Sequence, residues 1–442
     1  MSKPYRNSGC IILLMMTWLS WPEQISAGTS RIVPIAQGWA RNSVNAVIFR
    51  RNSIVTHNNI QYVAFYDDSA NVVLSKRIVG TENWEIRKTP YQGNVRDAHN
   101  SISIMVDGDG FLHMAWDQHN NPLRYCRSDK PGSLELSELM AMTGKKEQNV
   151  TYPEFYKLPD GSLIFVYRDG SSGDGNIIMN RYDAKSQAWS QLQDSFINGE
   201  GHRNAYWQMA IDTRGAIHIS WVWRETWDVA TNHDIGYAKS LDGGRTWQKS
   251  SGEPYELPIT AASAEYARRI PQNSELINQT SMCVDSEGRP YIATYWRPDG
   301  SDVPQYHLVY HDGKSWQTSQ VSQRTTPFSL SGGGTKKIPI SRPQILIQSS
   351  GTKNQAYMIF RDVERGHRVS VAICDDLQGQ AWRFEDLTLG SVNSWEPSYD
   401  TELWAQTKIL HIFLQNVGQG DSEEMESVPP QPVSIIEWEP QP

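Results

Sequence analysis

Along the chain one pattern of apolar and polar positions keeps returning. An alternating segment leads into a turn rich in Asp and Gly, followed by a short hydrophobic strand that ends in an aromatic or charged residue. The clearest copy, HNSISIMVDGDGFLHMAWDQHN, runs from His99 to Asn120. Others run from Thr151 to Gly170, Asn204 to Glu225, Asn278 to Gly300 and Ser341 to Asp362, with fainter copies from Asn42 to Asp68 and Trp395 to Asn416. Between the copies lie a third strand and a fourth that often opens with Trp. The fragment SLDGGRTW, Ser240 to Trp247, fits the Asp-box pattern, in which Asp accepts backbone N–H bonds, Gly supplies a positive φ and Trp packs between sheets. Degraded versions end at Trp84, Trp189 and Trp316.

Seven such units of about 50 to 75 residues, with four strands each, predict an all-β fold. It is a seven-bladed β-propeller of four-stranded antiparallel blades, and residues 28–442 form a single domain. Closure is expected where Val433–Trp438 pairs with the first blade. Leu134–Met142 is the one segment with helical potential, and the glycine-rich Ser329–Ile340 reads as a loop rather than a domain linker.

Composition sharpens this picture. A chain of 442 residues would otherwise suggest several domains, and the 17 Trp, 19 Tyr, 32 Gly and 23 Pro suit many short strands joined by tight turns. The formal charge of −8 argues against general nucleic-acid binding, so an anionic partner requires a local cluster of Arg or His. Residues 1–27 carry Lys3 and Arg6, an apolar stretch from Cys10 to Trp21, and Ser26 and Ala27. That is the plan of a cleaved secretory signal peptide, and the stretch is shorter than the roughly 20 residues that span a bilayer. A secreted or periplasmic protein without a transmembrane segment is expected. Cys126, Cys283 and Cys374 then remain, too widely spaced for a CxxC metal site or a disulfide framework.

The hairpin geometry brings candidate chemistry to one rim. With the turn of the clearest copy near Asp109, cross-strand pairing sets His99 opposite His119, flanked by Asp97, Asn100, Asn120 and Asn121. The same construction brings Tyr167, Arg168 and Asp169 to the face of Tyr152. Later copies add Trp223 and Arg224, Trp296 and Arg297, then Arg342 and Arg361. Arginine beside aromatic rings suits a carboxylated or sulfated sugar, the guanidinium gripping the anion and the ring stacking on a pyranose face.

The segments DAHNSISIMVDGDGFLHMAWDQHN, LRYCRS, QNVTYPEFYKLPDGSLIFVYRDG, NRYD, RNAYWQM and SLSGGGTKKIPISRPQ resemble those of the BNR-repeat (Asp-box) secreted propellers that include ulvan lyases. The resemblance runs over nearly all of the chain after the signal. It implies a seven-bladed propeller that cleaves a rhamnose–uronic acid linkage of an acidic polysaccharide by β-elimination, acting as a monomer. It places His99, His119, Tyr167 and Arg181 in the catalytic roles. Arg181 would neutralise the uronate, while His99 or Tyr167 removes the proton and the other protonates the leaving oxygen. Strand pairing alone favours Arg168 over Arg181 for the neutralising cation. Asn100, Arg168, Trp223, Arg224, Trp296, Arg297, Arg342 and Arg361 are the expected substrate-binding residues. Relatives of this kind can carry a structural zinc, but His202, His233 and Cys283 have no ligand-like spacing, so no metal or other cofactor is predicted. The alternatives are an α-L-rhamnosidase acting on rhamnosyl-glucuronate and a noncatalytic sugar-binding propeller. A sialidase, suggested by the RIVP of Arg31–Pro34, is opposed by the count of seven and by the lack of a Tyr–Glu nucleophile pair.

Overall fold

The computed structural model describes residue 1 and residues 30–48, 52–350, 353–377, 379 and 381–440. The expected signal peptide lies outside them, apart from residue 1. No helix among the described residues is long and apolar enough to cross a membrane.

Seven antiparallel sheets stand in a ring. Blade one is built from Ile54–His57, Ile60–Tyr66, Asn71–Ile78 and Glu85–Gln92, and blades four to six are built the same way. The inner strands touch in sequence order: Ile54–His57, Ile102–Val106, Val150–Lys157, Asn204–Ile211, Ser281–Val284, Gln344–Ser350. Each sheet is apolar on both faces because each face meets a neighbouring blade. Tyr167, Phe165, Met114 and Tyr125 share one inter-blade core, while Val166, Ile164, Trp207 and Trp221 share the next.

The Asp-rich turns work as the sequence suggests. Asp107, Asp212 and Asp285 each accept two backbone N–H groups of the turn that follows. In the Asp box, Asp242 accepts the Arg245 and Thr246 N–H groups, and Trp247 stacks on Phe196 of blade three at 4.8 Å.

Three sheets depart from the four-strand plan, blade three by gaining a strand that blade two gives up. Blade two keeps Ile102–Val106, Leu112–Trp116 and Tyr125–Arg127, while His119–Asn121 leaves it to pair with Val150–Lys157 of blade three. Blade seven has three strands, ordered Ser30–Gly38, Gln431–Trp438, Leu410–Leu414. Closure therefore differs from the expectation. Val433 to Trp438 pairs not with blade one but with the N-terminal strand, which completes the last blade, Ile435 lying opposite both Val33 and Phe413. A helix also replaces a strand. Leu134–Met142 is irregular, and the α-helix among the described residues is Thr401–Thr407, inside what the sequence pattern presents as the seventh hairpin. Asp400 caps it by accepting the Leu403 N–H, and the same carboxylate accepts from Thr56 and Gln61 of blade one. One capping residue thus starts the helix and closes the ring.

Because Ile435 is fully buried in the central strand of blade seven, between the N-terminal strand and Leu410–Leu414, Ile435→Ala should cost about 2–5 kcal/mol. Urea unfolding should show a lower midpoint with an unchanged m-value.

Candidate active site

The blade-two hairpin keeps the predicted register, from Val106 opposite Leu112 to Ile102 opposite Trp116. Beyond Trp116 the chain turns away through Asp117 at φ 60°, and His119 comes to lie opposite Thr151 of blade three. His99 arrives from the turn before blade two. The two imidazoles stack with centroids 4.2 Å apart and planes 20° from parallel. Asp97 joins them: Oδ1 lies 2.6 Å from His99 Nδ1 and Oδ2 lies 2.6 Å from His119 Nδ1, while Oδ1 also accepts the His99 backbone N–H at 2.9 Å.

A second carboxylate reaches His99 from far along the chain. Glu423 Oε1 is 3.1 Å from His99 Nδ1 and accepts the Thr335 N–H at 2.6 Å, and Oε2 accepts the Ala98 N–H at 2.9 Å. Its loop holds Ser422 and Glu423 at φ 56° and 70°, a costly left-handed geometry for residues with a Cβ.

The two histidines differ electrically. Burial alone would lower the His99 pKa, but Asp97 and Glu423 more than offset it and raise the pKa to about 9. His119 is pushed below its ordinary value, first by burial and then by the charge on His99. The pair therefore holds one imidazolium, His99, beside one neutral ring. His119 donates its Nδ1 proton to Asp97, which leaves an Nε2 lone pair on a side chain that is 32% exposed.

Next to the pair stands Tyr152, with centroids 5.9 Å from His99 and 6.2 Å from His119. Pro153 has no N–H to continue the ladder, a bulge spans Thr151 to Glu154, and Tyr152 takes φ 54°. Behind it Arg168, opposite Thr151, places its guanidinium 5.1 Å from the Tyr152 ring and 5.4 Å from that of Tyr206. Arg168 Nε donates to Gly170 O, and the rest of its guanidinium is buried toward the Tyr206 hydroxyl. A Cβ on Gly175 would stand 2.8 Å from the Arg168 stem, so glycine is required there. Arg224 donates to Tyr206 Oη at 3.1 Å. Burial would raise the Tyr206 pKa, yet Arg224 and Arg168 together bring it well below the usual phenol range, while burial and Tyr206 keep the Tyr152 hydroxyl protonated.

The remaining sequence candidates lie elsewhere or are engaged in structural bonds. Tyr167 is fully buried in the core between blades two and three, 5.5 Å from Phe165, with its hydroxyl on the Lys146 carbonyl. Arg181 pairs with Ile164 and binds Asp160 at 2.9 Å, four residues or roughly 13 Å along the strand from the level of Arg168. Asn100 is tied to Asn94 O and accepts from Tyr66. Trp223 is buried against Trp221, and Trp296 lies stacked on His307 at 3.6 Å. Arg297 binds Glu275, Arg342 forms a two-point pair with Glu396, and Arg361 donates to three main-chain carbonyls. Glu423 and Thr335 escape the hairpin logic because they come from irregular loops. Tyr152 is on the rim where the hairpin construction puts it, and the Tyr–Pro step marks the strand start that turns it toward the histidines.

Zinc does not fit the candidates named from sequence, since both ring nitrogens of His233 face carboxylates, of Glu225 and Asp234, and His202 Nδ1 faces the Glu200 carbonyl. Asp97, His99 and His119 do offer three ligand atoms within 4.8 Å of one another. With each Nδ1 already on a carboxylate oxygen, they form a hydrogen-bonded triad as arranged. A cavity of about 340 Å³, lined by Phe155, Lys157, Met209, Asp285 and Trp404, lies toward the far ends of the inner strands, away from this triad.

Residues 60–324 match the BNR repeat-containing family. An ulvan lyase, long isoform, from Alteromonas sp is 23% identical over 328 residues, which cover 59% of this chain and 33% of that protein. The chain thus spans about a third of the length of the curated relatives it matches first. Among solved structures, polysaccharide lyase Uly1 aligns with a TM-score of 0.65 at 17% identity, covering 95% of this chain and 94% of that one. An ulvan lyase bound to a saccharide of GlcA and sulfated rhamnose aligns with the same score at 14% identity, covering 90% and 98%. These structures share the propeller fold, and the match over more than half the sequence makes the chain a member of the BNR repeat-containing family.

Proposed function

We propose that the protein is an exported polysaccharide lyase that cleaves a rhamnose–uronic acid linkage of an ulvan-like polysaccharide by β-elimination. One observation carries the reading: a buried guanidinium, that of Arg168, packed against Tyr152 and Tyr206 beside a histidine pair of split protonation. Elimination needs both features. The uronate C5 proton is acidic only when the adjoining carboxylate is neutralised, and a cation in a desolvated site does this best. Arg168 behind Tyr152 and Arg224 behind Tyr206 supply that positive potential from a desolvated position. The ulvan lyases among the relatives, and the signal-like N-terminus, support the substrate class and the export.

In this mechanism His119 Nε2 takes the C5 proton, the C–H electron pair becomes the C4–C5 double bond, and the C4–O bond breaks. The departing oxygen takes a proton from the His99 imidazolium. Protons balance, one gained by His119 and one lost by His99, and the exposed edge of His119 restores the pair through solvent. Asp97 holds both rings, Glu423 keeps His99 charged, and Tyr152 packs against the pair from behind.

Incubation with ulvan should generate ultraviolet absorbance from the unsaturated uronate. Reducing ends without that absorbance would identify a hydrolase and overturn the reading. His119→Ala should lower kcat by about 10²–10⁴-fold. Arg168→Lys, which keeps the charge but not the fork, should lose turnover about as severely, whereas Arg181→Ala should stay within a few-fold of wild type because its partner is Asp160. The kcat–pH profile should be bell-shaped, rising as His119 loses its proton below the ordinary histidine value and falling as His99 deprotonates near 9. Glu423→Gln removes a negative charge from His99, so it should move the alkaline limb to lower pH and leave the acid limb nearly in place.

A further inference from the structure

Trp227 stands apart from the other indoles. Trp207, Trp221, Trp223 and Trp247 are fully buried, whereas Trp227 is 64% exposed in the loop that follows Arg224. A single exposed apolar side chain needs no explanation by itself, but this one is held firmly. Arg224 donates to the carbonyls of Thr226 and Trp227, and Asp228 accepts the Gly332 N–H at 2.7 Å. Gly333 lies so close that an added Cβ would stand 2.9 Å from Trp227 Cε3, and a Cβ on Gly173 would crowd Thr226 at 3.0 Å. The indole therefore rests on a glycine surface and presents its remaining area to solvent.

Its mounting is shared with the histidine pair on both sides. Arg224 also holds Tyr206, and the glycine loop runs from Gly333 to Thr335, whose hydroxyl lies 3.4 Å from His99 Nδ1 and whose N–H binds Glu423. Two residues of chain span at most about 7 Å, so the indole sits within a few sugar units of the reacting bond. Lys336, whose ammonium binds Asp421 at 2.8 Å, lies beside it. The position of a Cβ on Gly332 would be 3.5 Å from Lys336 Nζ and 3.9 Å from Trp227 Cζ3, so ammonium and ring flank the same glycine.

We infer that Trp227, with Lys336 beside it, is a binding subsite for an acidic pyranose one or more units from the cleaved linkage. The apolar face of the sugar stacks on the indole, and its polar groups meet the edge of the Lys336–Asp421 pair. The inference rests on the polysaccharide reading above, and its test separates the two. In a His119→Ala background, so that substrate persists, Trp227→Ala should weaken ulvan binding by titration calorimetry about tenfold, or 1.4 kcal/mol. Trp227→Phe, which keeps a ring, should weaken it less, and Leu389→Ala, which removes another exposed apolar side chain, should change nothing. With His119 intact, Trp227→Ala should raise KM for ulvan by the same factor while kcat stays within about twofold, as expected for uniform binding. Unchanged ulvan affinity in Trp227→Ala, or no ulvan binding by the His119→Ala protein at all, overturns the subsite. A tenfold loss of binding in a protein that releases no unsaturated product overturns the lyase and leaves the subsite standing.

Discussion

Asp97 has two oxygens and two imidazoles to serve, and the rest of the site follows from that arithmetic. Each Nδ1 lies 2.6 Å from one oxygen, which fixes both ring orientations and forces the rings into a 4.2 Å stack. At that separation two imidazolium charges repel, so one ring carries the proton and the other does not. Glu423 decides which. Its contact with His99 is bonded down by the Thr335 and Ala98 N–H groups, and among the described residues Asp97 is the carboxylate that meets His119. A symmetrical pair thereby becomes an acid and a base.

The fold exists in the form needed to deliver these groups to one spot. His119 can face His99 only because the chain abandons blade two at Asp117 and joins blade three, so the triad bridges two blades. Tyr152 and Arg168 come from the start and end of the next hairpin. Thr335 and Glu423 descend from loops of distant blades, and Ser422 N–H donates to Thr335 O, so the two loops brace one another above the histidines. Left-handed residues at Asp117, Tyr152, Ser422 and Glu423 place backbone strain beside this centre, where the surrounding bonds can hold it.

What was legible in the sequence was whatever a two-residue period controls. Hairpin alternation yields seven blades, and cross-strand counting puts His99 and His119 at one rim, although His119 reaches His99 by pairing with Thr151 of blade three and not across the hairpin. The same alternation explains a misplacement: Tyr167 and Arg168 are adjacent on one strand and must face opposite sides. Once Arg168 turns toward Tyr152, Tyr167 goes to the core with Phe165. Helix Thr401–Thr407 was masked because its apolar positions, Leu403 and Trp404, could be fitted to a strand as readily as to two turns of helix. Glu423 and Thr335 carry no periodic signal. Their position depends on where irregular loops cross the face of a closed ring, which only the assembled blades determine.

The split protonation of the histidine pair is the claim on which the chemistry stands, and nitrogen chemical shifts of ¹⁵N-labelled imidazoles report it directly. Titrated from pH 5 to 10 and assigned with His99→Gln and His119→Gln, the shifts should show His99 as an imidazolium until about pH 9 and His119 as a neutral ring with its proton on Nδ1 at pH 7. Two rings titrating together near the ordinary histidine value would contradict the account.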